Sequence, residues 1–198
     1  MESYEKILGF WFGQVEQTIL PSEHRAKIWF AEDPEVDKEI RLKFVYDYKR
    51  CLDGGYNEWC THPRGQLAQI IMLDQFSRHI HRNTSKAFAQ DAKALEICLL
   101  GIDSEAEHHL SLIERVFYYF PLLHSELVRY QEFSLRAYQN LSELAFSETR
   151  VIYDSFLKFA NHHYTIVRRF GRFPQRNKAL NRESTEDEIR YLDEIKNE

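Results

Sequence analysis

Three observations in the sequence predict an all-α fold. Only 7 glycines and 5 prolines punctuate 198 residues, fewer turn residues than a strand-rich fold needs. Apolar residues recur at three- and four-residue spacing through most of the chain. Helix-start and helix-stop residues bracket those runs, and neither a strand pattern nor an internal repeat stands out. A hydrophobic content of 43% beside 29% charged residues is that of an ordinary globular protein. The length suffices for one real core, so residues 1–198 are read as a single helical domain.

Residues 3–12 form the first expected helix, with Ser3 as a possible cap and Gly13 as its stop. Ile7, Leu8, Phe10, Trp11 and Phe12 make it too apolar for an exposed position. A loop around Pro21 leads to a short helix over 22–30, anchored by Trp29 and Phe30. Asp33-Pro34 is a cap followed by proline in the first turn, and Val36, Ile40, Phe44 and Tyr48 give one stripe to about Arg50. Pro63 opens the next helix, with Leu67, Ile70, Ile71 and Asp74 on one side. Asn83-Thr84 is expected to cap a helix carrying Ala87, Phe88, Asp91, Ala94, Leu95 and Cys98, closed by Gly101. Helices over 105–119 and 122–140 flank Pro121, which should break or kink the path. A long helix runs from about Glu148 to Phe170 with Gly171 after it, and the capping signature STEDE predicts a short helix over about 185–195.

The composition also excludes function classes. A net charge of −5 argues against general nucleic-acid binding. No apolar run approaches the ~18 residues of a membrane span, and the N-terminus lacks a signal-peptide pattern. Three cysteines without framework spacing point to a reduced, cytoplasmic setting. The histidines and cysteines lack zinc-site spacing, and no glycine-rich phosphate loop occurs, so neither metal nor cofactor is expected.

Within this acidic chain, residues 158–182 hold seven Lys/Arg and no Asp or Glu. His162 and His163 lie just ahead of Arg168, Arg169, Arg172, Arg176 and Asn177. His163 falls on the apolar stripe of its helix and should point inward. The helix dipole accounts for Arg168 and Arg169. Beyond the glycine, Arg172 and Arg176 either clamp carboxylates of other helices or face an anionic ligand. Asp74, Gln75 and Arg78 end an apolar helix, where a buried carboxylate needs a partner. They read as a buried ion pair or as ligand and catalytic groups. Glu114, His124 and Glu126 flank Pro121 in an aromatic context that would suit an acid–base pair or a packing contact.

Three co-linear blocks resemble a known family. PRGQLAQIIMLDQFSRHIHRNTSKAFAQD at 63–91 is similar to its central block. Glu114, Arg115, Phe117, Pro121, His124, Ser125, Glu126 and Gln131 match its second, and His163, Arg169 to Pro174, Arg176 and Asn177 match its third. The chain is thereby identified as a member of the bacterial domain of unknown function 924 family. The resemblance implies a TPR-like superhelical packing of helices and no particular reaction. His79 stands where the family more often shows Asn, Tyr130 where Asp is common, and Gln175 where His is usual.

Asp74, Glu114, His124, His163 and Arg172 are therefore expected to converge in an aromatic shell. As a binding module, the protein would hold an anionic small molecule or an acidic peptide through Arg172 and Arg176, with Arg78, Glu126, Gln131 and Asn177 lining the site. This reading stands first because no nucleophile or cofactor motif appears. As an enzyme, a hydrolase or lyase, it would use His124 or His163 as general base, Glu114 or Asp74 as its orienter and an arginine as anion stabiliser. A cluster that only fixes helix packing would be sealed, with every group paired.

Overall fold

The computed structural model describes residues 3–13 and 23–196, and those residues form helices and connecting turns with no strand among them. The helices are α1 (Ser3–Phe12), α2 (Glu23–Phe30), α3 (Pro34–Leu52), α4 (Pro63–Ile70), α5 (Ser77–Ile80), α6 (Asp91–Asp103), α7 (Leu112–Tyr118), α8 (Phe120–His124), α9 (Val128–Leu144), α10 (Arg150–Phe170) and α11 (Glu186–Glu194). The expected loop around Pro21 and the capping side chain of Ser3 lie outside what is described.

The chain from Pro63 to Ile80 is the axle of the molecule. α4 and α5 are one helix interrupted by a wide π-helical turn, Ile71–Phe76. α1, α6 and α7 pack on α4, and α3 packs on α5. Leu67, Ala68, Ile70 to Leu73 and Phe76 are fully buried in consequence. Around them sits an aromatic core in which Trp11, Trp29, Phe76, Phe117 and Phe120 meet edge to face or tilted. Rings of this kind each bury a large apolar area, so a few of them anchor the short helices α1 and α2. The stripe Val36, Ile40, Phe44 and Tyr48 is buried as its spacing requires.

α9 and α10 form a long antiparallel hairpin with the most extensive helix contact in the fold. α10 stops where Gly171 takes φ 70°, its N–H bonding to Val167 O at 2.8 Å. A smaller core of Ile166, Val167, Phe173 and Tyr191 holds α11 against the end of α10.

Three expectations change. Asn83-Thr84 does not cap the next α-helix: Asn83 has φ 62°, Thr84 Oγ1 turns back to His81 O at 2.7 Å, and α6 starts only at Asp91. Gly101 lies inside α6 rather than ending it, and its missing side chain leaves room for the Tyr118 hydroxyl, which would stand 1.6 Å from an added Cβ. The helices expected over 105–119 and 122–140 are each split, and His124 sits at a break between α8 and α9. No helix among the described residues is long and apolar enough to cross a membrane.

Candidate functional site

The wide turn delivers Asp74 to the interior, where its exposure is 0%. Widened turns of this type recur at functional sites in helices. Here the Asp74 backbone carbonyl accepts from Arg78 Nη1, and Ser77 Oγ lies 3.2 Å from it. The carboxylate meets His124 from the end of α8, with Nδ1 2.8 Å from Oδ1 and 2.9 Å from Oδ2. Gln75 Nε2 donates to Oδ2 at 2.5 Å, and Arg78 Nη1 stands 3.4 Å from Oδ1. Burial opposes ionisation of Asp74, but the charges of Arg78 and His124 outweigh it and hold the carboxyl well below its usual range. Burial, followed by the charge of Arg78, pushes His124 below 6.5, although Asp74 pulls it upward. The ring is therefore neutral near pH 7. With an ionised Asp74 accepting from Nδ1–H, its lone pair resides on Nε2.

Arg78 is shared. Its Nη1 and Nη2 donate to the two oxygens of Asp91 at 3.0 Å each, from the first turn of α6. Arg176 reaches the same Asp91 at 3.3 Å and donates to His124 O at 3.0 Å. Its guanidinium lies between the rings of Phe88 and Phe173, and burial, with Arg78 next, pushes it down to about 10. Gln131 Nε2 donates to Leu123 O and Ser125 O at 2.7 and 2.6 Å, fixing the chain on both sides of His124. His163 brings its ring to 6.3 Å from that of His124 and packs on Phe159 and Phe173. Its Nδ1 lies 2.9 Å from Phe159 O, and burial, reinforced by His124, pushes it down to about 3.

A cleft of about 410 Å³ opens beside this cluster. Trp29, Phe30, Phe120 and Phe159 give it aromatic walls, and Gln75, Arg78, His79, Arg82 and His124 give it a polar floor, with Glu32 at its edge. Phe159 belongs to the apolar stripe of α10 yet is 39% exposed, because the cleft takes the place of a packing partner. His124 is 11% exposed, and among the described residues its Nε2 has no hydrogen-bond partner.

Asp74, His124, His163, Arg78 and Arg176 are thus brought together. Glu114 and Arg172, expected to converge with them, are not. Glu114 accepts from Ser111 N and Oγ at 2.9 and 2.7 Å at the start of α7, and its other oxygen pairs with Arg64. Arg172 is spent on Glu188, at 2.6 and 2.8 Å, and on Glu183 O. Asn177 joins the same cluster through Ser184 and Glu188. Glu126 accepts from Phe173 N at 2.8 Å and from both ends of the Arg182 fork. Neither Glu126 nor Gln131 lines the cleft.

A second carboxylate–histidine pair at the cleft escaped the sequence reading. His79 Nδ1 lies 2.8 Å from Asp37 Oδ1, and Arg82 grips Asp37 at 2.5 and 2.6 Å. A signal existed: Gln75, Arg78, His79 and Arg82 follow at intervals of three, one and three, the spacing of a single helix face.

The fold and the cleft define a class: an all-helical protein in which carboxylates hold imidazoles against an aromatic-walled hollow. The chain belongs to the DUF924 family of bacterial proteins of unknown function, whose model matches residues 7–196. A solved structure of a protein of unknown function from Agrobacterium tumefaciens is similar to it, with 28% identity and a TM-score of 0.81 over 96% of this chain and 97% of that one. No curated protein matches the chain.

Proposed function

We propose that the cleft is the active site of a small-molecule enzyme of the hydrolase or lyase type, with His124 as its general base. The observation that carries this reading is the Asp74–His124 pair: Nδ1 is held at 2.8 Å by a fully buried carboxylate while the ring lines a cleft. A packing histidine has no need of an ionised partner sealed behind it and open space before it. In hydrolysis, Nε2 takes a proton from water, the oxygen attacks a carbonyl carbon, and the imidazolium returns the proton to the leaving group as its bond breaks. Arg78 uses both Nη1 hydrogens and one Nη2 hydrogen on Asp74 O and Asp91. Its Nε–H and second Nη2–H remain for the oxygen that gains negative charge.

Anion capture through Arg172 and Arg176 has less support. Arg172 is consumed by Glu188, and Arg176 by Asp91 and the His124 carbonyl. Around the cleft Arg78, Arg82 and Arg176 face Asp37, Asp74 and Asp91, so no surplus of positive charge awaits a ligand.

The test is turnover of a mixture of low-molecular-weight esters and amides with apolar acyl groups, followed by mass spectrometry. Wild-type protein should deplete at least one component, and His124→Asn should slow that by about 10²–10⁴-fold with a similar melting temperature. The rate should be flat above pH 6.5 and fall in acid, because the lowered His124 must be unprotonated to act. A His124→Asn protein that turns over at the wild-type rate would overturn the assignment. Binding without turnover would favour the binding-module reading.

A further inference from the structure

The base reading leaves His79 unused, although it lines the same cleft and is only 6% exposed. It is as firmly aimed as His124. Asp37 holds its Nδ1 at 2.8 Å, and Asp37 cannot swing away because Arg82 Nε and Nη2 fix both its oxygens. Trp11 meets the ring edge to face, at 6.1 Å between centroids. Among the described residues Nε2 has no hydrogen-bond partner, so a nine-tenths buried imidazole presents one polar atom beside the cleft that no protein group satisfies.

We infer that His79 is a fixed hydrogen-bond acceptor that selects ligands carrying a neutral N–H or O–H donor on an apolar body, so that the cleft takes amides or alcohols in preference to anions. The assignment rests on the cleft being a ligand site, as proposed above, but not on His124 being a base. With Asp37 ionised and held by Arg82, Nδ1 carries the proton and Nε2 the lone pair. Burial lowers the basicity of His79, Arg82 and Arg78 lower it further, and the pull of Asp37 does not restore it, which keeps Nε2 an acceptor near neutrality. A buried acceptor discriminates by what it loses. A ligand with a donor satisfies Nε2, whereas an isostere without one strips it of water and gives nothing back. The aromatic walls suit the apolar body.

The probes are benzamide, methyl benzoate and benzoate, which share a ring and differ in donor and charge. Binding to the full chain is followed by ¹⁵N and ¹H chemical-shift titration. Benzamide should bind about 10-fold more tightly than methyl benzoate, and benzoate no more tightly than the ester. The His79 Nε2 resonance should move with benzamide and stay with the ester. His79→Phe should erase the preference, and His79→Gln, which keeps an acceptor, should retain part of it. If His79→Phe fails to fold, the wild-type resonance and His79→Gln decide. His124→Asn should keep the preference while losing turnover, so the two assignments can fail separately. The inference is overturned if the ester or benzoate binds as well as benzamide, if none of the three binds, if the Nε2 resonance responds equally to amide and ester, or if folded His79→Phe keeps the preference.

Discussion

The clusters around Asp74 and around Glu188 are built from the same parts and differ in what they leave over. In both, an arginine fork meets a buried carboxylate: Arg78 bridges Asp74 and Asp91, and Arg172 grips Glu188. At Glu188 both carboxylate oxygens find protein partners. Asn177 donates to it, Thr185 N–H donates to it from the start of α11, and Arg182 ties Asn177 to Glu126. At Asp74 the network ends in an imidazole nitrogen beside a hollow. Pairing of charges is common to a clamp and a site, so pairing alone identifies neither. An oriented, unsatisfied atom next to space separates them.

The comparison can be broken most forcefully at Arg78. Arg78→Met removes the cation shared by Asp74 and Asp91 and should cost about 3–5 kcal/mol in equilibrium urea unfolding, because a fully buried carboxylate loses compensation. A loss below about 1 kcal/mol would mean that the cluster is wetter than its burial indicates. Arg172→Ala should lower the urea midpoint less, since Glu188 keeps Asn177 and the Thr185 N–H. It should leave ligand affinity at the cleft unchanged; a change in that affinity would couple the two regions.

The smallest effect near neutrality is that of His163. Its folded value of about 3 lies below the ordinary 6.5, so between those limits the unfolded chain binds a proton that the folded chain refuses. Stability therefore falls as pH drops through that window, and the lowered His124 acts in the same direction. Urea midpoints measured from pH 7 to pH 4 should decline less steeply in His163→Phe than in wild type. Parallel declines would place His163 in contact with water and outside the cluster.

Most of the helical layout was legible because burial imposes a period on the sequence. The stripe Val36, Ile40, Phe44 and Tyr48 needed no structure to be read, nor did the glycine after α10. Asp74, His124 and His163 were legible as polar residues set in strongly apolar or aromatic surroundings. Glu114 and Arg172 have the same appearance in sequence, yet their partners Arg64 and Glu188 lie 50 and 16 residues away, and spacing carries no information about such pairings. Asp37 was hidden for that reason too, since it becomes significant only when α3 packs on α5. The wide turn was also invisible: Leu67, Ile70, Ile71, Asp74 and Arg78 fit an uninterrupted α-helix equally well.

That turn makes the bearing of the polar floor of the cleft depend on how six residues are wound. A π turn holds one more residue than the α turn it replaces. Wound as ordinary α-helix at its present length, the stretch 71–76 would advance one residue further around the axis than it does. Everything after the join would then face about 100° further round the axis, carrying Arg78 and His79 off their present bearing. The extra residue works as an angular offset that sets the direction of two side chains.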